Sequence, residues 1–167
     1  ELLQAIMEVP DSELKNALDL FVASGLVLQE GEIPLATYYF KHALVQEATY
    51  NMLPRKSRRA LHARIAKTLE SRFPERVSTE PELLAYHYEQ AGLAGLAIEY
   101  YHRAARRDVK RSASIEALNH FSRALELLKE LPQNPERNVL ELELLLARGV
   151  PLLSVKGYAS DEMEHNY

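Results

Sequence analysis

The chain has 167 residues, 47% of them apolar and 26% charged, the balance of a folded globular protein of one large or two small domains. No apolar run approaches the roughly 20 residues that a membrane-crossing helix needs, and no signal peptide is seen. It has no cysteine, which excludes disulfides and thiolate chemistry and fits a reducing, cytoplasmic setting.

The first elements are short. Leu2, Leu3, Ile6 and Met7 form an apolar stripe at helical spacing that Pro10 ends. Asp11-Ser12 offers an N-cap for a second helix, whose stripe is Leu14, Ala17, Leu18, Phe21 and Val22 and whose C-cap is Gly25. Leu26-Val27-Leu28 then resumes as a strand, Glu30-Gly31 turns it, and Thr37 to Phe40 returns, so β structure is expected only within 26–40. Helix, helix and hairpin is the order of a winged-helix domain, expected over residues 1–53 with its wing around Pro34. The second helix carries Asp11, Glu13 and Asp19 against Lys15, and the wing region adds Glu30 and Glu32. Such an acidic face would be repelled by phosphates, so specific nucleic-acid binding is not expected of it. A packing role is the simpler reading.

Tyr38, Tyr39 and Phe40 lead directly into Lys41-His42 and then into a helix with apolar positions Ala43, Leu44, Ala48 and Leu53. A histidine on this strand-to-helix corner is held from both sides. It is either aimed at a ligand or hydrogen-bonded to backbone.

Residues 54–167 read as helix throughout. Pro54 opens a basic helix with the stripe Leu61, Ile65, Leu69 and Phe73, stopped by Pro74. Residues 54–76 hold eight Lys/Arg against two Glu, so the stretch is strongly positive within a chain whose net charge is −4. Arg55, Lys56, Arg58 and Arg59 could bind an anion or an acidic partner surface, or simply line a solvated face. No aromatic residue is interleaved in that cluster, so a stacking platform for single strands is missing.

Further helices are expected from Glu80-Pro81-Glu82 to Gly92, over 96–110 and 114–131, and from Asn134-Pro135 through at least Arg148. In the second of these, Tyr101, Ala104 and Ala105 stand where a tetratricopeptide repeat places one large and two small residues. Ala117, Phe121, Ala124 and Leu125 match its partner helix, with Pro132 near the closing proline. Tyr86, Tyr88, Tyr100 and Tyr101 read as packing aromatics with their hydroxyls at the surface. Leu142, Leu145, Leu146, Leu152 and Leu153 would supply the next layer, kinked at Gly149-Val150-Pro151, and another helix would start after Gly157. The pattern is that of a truncated array, a fragment of a longer protein. No Gly-rich phosphate loop, metal-ligand spacing or other catalytic constellation is found, so the segment itself is not expected to be an enzyme or to hold a cofactor or metal.

Three stretches carry a family resemblance: Phe40-Lys41-His42-Ala43-Leu44-Val45-Gln46-Glu47-Ala48-Thr49-Tyr50, Leu83-Leu84-Ala85-Tyr86-His87-Tyr88 and Lys156-Gly157-Tyr158-Ala159. Together they resemble bacterial regulators that join an AAA-like predicted ATPase of the signal-transduction (STAND) class to tetratricopeptide repeats. These regulators often lie behind a class III adenylate/guanylate cyclase domain. The resemblance implies a mainly α fold, a winged-helix-like domain with a small β-hairpin followed by tetratricopeptide-like helical repeats. It implies an effector or protein partner on the repeats, and ATP or ADP in an upstream nucleotide-binding domain. His42 matches the position of a histidine that touches the β-phosphate of ADP in related proteins, although Lys41-His42-Ala43 replaces their Met-His-Asp. The alternative from another class is a segment of a DNA-binding transcriptional activator.

Overall fold

Local chemistry accounts for most element boundaries. In the computed structural model, which describes residues 2–7, 9–33 and 35–157, Pro10 separates α1 (Leu2–Met7) from α2 (Asp11–Ala23). Pro10 itself takes the N-cap position, so Asp11 is the first helical residue and its side chain caps nothing. Asp11 and Glu13 in the first turn instead favour the positive end of the helix dipole. At the other end Ser24 is the C-cap and Gly25 follows it at φ 71°. The Gly25 amide donates to the Val22 carbonyl and the Leu26 amide to the Phe21 carbonyl, the paired bonds of a Schellman turn. That turn aims the chain into β1 (Val27–Glu30), which pairs antiparallel with β2 (Thr37–Phe40) in the register Val27 to Phe40. Pro34, where the wing was expected, lies outside the described residues.

After the hairpin come α3 (Ala43–Met52), α4 (Arg55–Arg72), α5 (Pro74–Thr79), α6 (Pro81–Ala91), α7 (Ala94–Lys110), α8 (Ser114–Leu128) and α9 (Pro135–Lys156). Among the described residues the protein is mainly helical, 77% helix, with one small two-stranded hairpin. No helix among them is long and apolar enough to cross a membrane.

The chain divides into two compact units, residues 1–68 and 69–167, and the division falls within α4. In the first unit α1 packs on α2, α2 on β1, and β2 on α3. Among the described residues its buried side chains are few: Ile6, Val27, His62, Ala66 and Thr68. The apolar positions expected to anchor α3 are open instead, Leu44 at 80% exposure, with Ala48 and Leu53 also exposed.

The second unit is a succession of helices, each packed on the next from α5 to α9, with α7 also touching α9. Its core is built from small residues between large ones. Ala97, Ala104 and Ala105 of α7 and Ala117 and Ala124 of α8 have no exposed surface, so the two backbones approach closely. Ile98, Phe121, Leu128, Leu144 and Leu152 fill the remaining space. Helix ends are again closed by Schellman turns. Gly92 ends α6 at φ 77°, and Ser112 ends α7 at φ 58°, a left-handed conformation that a serine adopts at a cost.

Several expectations shift. Pro74 does not merely stop α4; it opens α5, a short helix that periodicity does not reveal in six residues. In α4 Leu69 is fully buried, but Leu61, Ile65 and Phe73 are half-buried, and the buried row runs one step round through His62 and Ala66. Leu125 is half-buried, unlike its neighbours Phe121 and Ala124. In α9 the inward row is Leu144 and Leu152, while Leu142 and Leu146 are exposed. α9 also continues through Gly149 and Pro151 to Lys156, both residues being buried within it. The helix expected after Gly157 lies outside the described residues.

Candidate functional site

His42 holds the N-cap position of α3 in extended backbone, φ −131° and ψ 124°. Its carbonyl accepts from the Val45 and Gln46 amides at 3.1 and 3.2 Å, which starts the helix. The Lys41 amide donates to the Leu26 carbonyl at 3.0 Å, so the corner is tied to the hairpin from the other side. The imidazole makes no capping bond and is solvent-exposed. The backbone is fixed and the ring is open, the arrangement that a contact with a separate ligand would need.

The basic cluster opens α4. Arg55, Lys56 and Arg59 are exposed and have no ion-pair partner among the described residues. Arg58 differs from them. Its guanidinium lies 4.9 Å from the centre of the Tyr50 ring and its Nη1 donates to Asn51 Oδ1 at 3.2 Å. Tyr50 in turn pairs through its hydroxyl with His62 Nε2 at 3.0 Å, the two rings edge to face. Burial, with the nearby Arg58 charge, holds the His62 pKa below its ordinary value. A neutral His62 accepts the Tyr50 hydroxyl proton when its Nε2 is the unprotonated nitrogen. The sequence singled out the four cations but not Tyr50, Asn51 and His62, which position one of them; only proximity in the fold reveals that group.

In the second unit, tyrosine hydroxyls expected at the surface are bound to carboxylates. Tyr88 and Tyr100 stack with ring centres 5.7 Å apart, and both hydroxyls donate to Glu70, at 2.8 and 2.6 Å. Those bonds, Tyr100 first, hold the Glu70 pKa below the usual carboxylate value. Burial and the same carboxylate push Tyr100 up to about 12 and Tyr88 upward as well. Tyr101 donates to Glu89 Oε2 at 2.8 Å, and Arg123 Nε donates to the same oxygen at 3.1 Å. The Arg123 bonds, followed by that of Tyr101 and against the effect of burial, depress the Glu89 pKa. Tyr86 alone of the four is largely exposed.

A second polar group joins α5, α6, α7 and α8. Arg107 donates to the Thr79 carbonyl at 2.7 Å, to Glu82 at 2.6 Å and to Asp108 Oδ1. The Asp108 side chain is only 5% exposed, and its Oδ2 has His120 Nε2 at 3.3 Å, within ion-pair range although not aligned as a hydrogen bond. These groups link successive helices, with Arg107 paired to both Glu82 and Asp108 Oδ1 while the buried Asp108 Oδ2 accepts no hydrogen bond. Tyr101, Ala104, Ala105, Ala117, Phe121 and Ala124 are all buried around them, in the middle of the α7–α8 pair. Among the described residues no group of three or more His, Cys, Asp or Glu is gathered that could hold a metal ion.

No family model matches the chain, and no solved structure matches it. It is 31% identical over 169 aligned residues to an uncharacterized protein of Rhizobium meliloti (strain 1021). That alignment takes in 99% of this chain but only 16% of the relative, so the chain spans about a sixth of the length of the curated relative it matches.

Proposed function

We propose that this chain is a non-catalytic regulatory and protein-interaction segment of a STAND-type signal-transduction ATPase, coupled to a cyclase output. In this reading residues 1–53 are a winged-helix-like module and the helices after α4 are tetratricopeptide-like repeats that recognise a protein partner or effector. Binding there is relayed through α4 and the His42 corner to an upstream nucleotide-binding core in the intact protein. The observation that carries the reading is the α7–α8 pair. Fully buried Ala104 and Ala105 face a partner helix with fully buried Ala117, Phe121 and Ala124, the small-large alternation that stacked repeats use. The exposed imidazole of His42 on a fixed backbone supports the second half of the proposal. The alignment with a stretch of a much longer protein is compatible with a segment that works beside other domains.

Imidazole donates a hydrogen bond to a phosphate when neutral and adds charge when protonated. If His42 contacts ADP only in the inactive form, removing it shifts the population toward the active one, about tenfold for a contact of about 1.4 kcal/mol. The test is ADP release from the intact protein. His42→Ala is expected to release ADP faster while the circular dichroism of this segment stays unchanged. Equal release rates with a normal fold would reduce His42 to a structural corner.

A further inference from the structure

The first unit has a surface that the effector-recognition reading does not use. Leu44, Ala48 and Met52 follow one another at intervals of four along α3 and are all exposed, Leu44 at 80% and Met52 at 83%. Residues four apart share one helix face, so α3 presents an apolar stripe to solvent over its whole length. An amphipathic helix normally turns such a stripe inward. The stripe ends one turn before the basic start of α4.

The two features are fixed to each other. Asn51 lies three residues from Ala48 and seven from Leu44, on the stripe's own face. Its bond to Arg58, together with the stacking of Arg58 on Tyr50 and the Tyr50–His62 bond, holds the basic turn against the end of α3. Arg55 and Arg59 are four apart, and like charges at that spacing repel, as do cations in the first turn of a helix. Neither has an acidic partner among the described residues to relieve this. An apolar stripe bordered at one end by preset cations is complementary to a helix with an apolar face and acidic flanks. A phosphate backbone would satisfy the cations and leave Leu44 and Met52 in water. The exposed acids of α2, Asp11, Glu13 and Asp19, further disfavour a long polyanion on this unit.

We infer that the α3 stripe and the basic turn of α4 form one docking surface for an acidic amphipathic helix of a partner protein. Leu44, Ala48 and Met52 make its apolar contact, and Arg55, Lys56, Arg58 and Arg59 its charge contact.

The probe is a labelled 20-residue peptide with leucine at every third or fourth position and glutamate between, titrated with the 167-residue chain in fluorescence anisotropy. Saturable binding is expected. It should weaken at least about tenfold in Arg55→Glu/Arg59→Glu and at least about threefold in Leu44→Ser/Met52→Ser. All four side chains are exposed, so these variants keep the fold, which circular dichroism verifies; Arg59→Gln and Met52→Ser alone should give smaller losses in the same direction. The same peptide with lysine for glutamate should not bind. Absence of binding would overturn the inference. So would binding unaffected by Leu44→Ser/Met52→Ser, or displacement of the peptide by tripolyphosphate or duplex DNA at equal charge, because each would leave only a generic anion patch.

Discussion

Phe121 is the residue on which the packing of the second unit can be read most simply. It is fully buried between the alanines of α7 and α8, so truncation leaves a cavity that neighbouring alanines cannot fill. Phe121→Ala should destabilise the chain by about 3–5 kcal/mol in urea or thermal unfolding, and a loss below about 1 kcal/mol would mean a wrong register. His62 makes a different, pH-dependent contribution. Its folded pKa lies below the ordinary value of 6.5, so the unfolded chain binds the proton more readily. The stability linked to it is complete above pH 6.5 and falls as the pH drops from there through the lower folded pKa. His62→Gln should flatten that part of the stability–pH curve, and an unchanged slope would assign it to other groups. Glu70 and Glu89, also depressed, act in the acid range, where their loss begins only below the usual carboxylate value of 4.5. The sequence showed these tyrosines as packing groups but not their carboxylate partners. Glu70 lies 18 and 30 residues from Tyr88 and Tyr100, a separation that no local pattern encodes.

At the scale of elements, the strongly periodic and well-punctuated ones were legible. The hairpin, the glycine-closed ends of α2 and α6, and the long helices all follow from spacing and from Gly, Pro and Asn signals. Asn134 caps α9 through Arg137 N at 2.7 Å, as its place before Pro135 suggests. What failed was the choice of face. In α9 leucines occupy both sides of the helix, so composition alone could not select Leu144 and Leu152 over Leu142 and Leu146. In α3 the stripe is genuine but unpartnered here, which is why burial could not be inferred from periodicity. The end of α7 at Lys110 was legible too, although the turn that closes it places Ser112 in a position that glycine normally takes. Ser112→Gly should relieve left-handed strain and, after the added freedom of the unfolded chain, stabilise by about 0.5–1 kcal/mol. Thermal denaturation checks the sign, and a lower midpoint would show that the serine is held by more than its backbone.

For the whole molecule, two compact units of different character share one chain. The first buries little and leaves Leu44, Met52, Arg55, Lys56 and Arg59 open; the second is knitted by buried alanines, Phe121 and charge pairs that span successive helices. Their helical class and hairpin could be read from the sequence, whereas the exposed state of α3 and the carboxylate–tyrosine groups required the fold. The proposal that joins the units is coupling between the helical array and nucleotide bound elsewhere in the intact protein. Loosening the array alone tests this coupling, because Phe121 belongs to the second unit and His42 to the first. ADP release from the intact protein should be measured with and without Phe121→Ala, with hydrogen exchange verifying that α7 and α8 are loosened. The expected result is release faster by about tenfold, the effect of losing about 1.4 kcal/mol of differential stability. Identical release rates in the presence of a demonstrably loosened array would contradict the coupling.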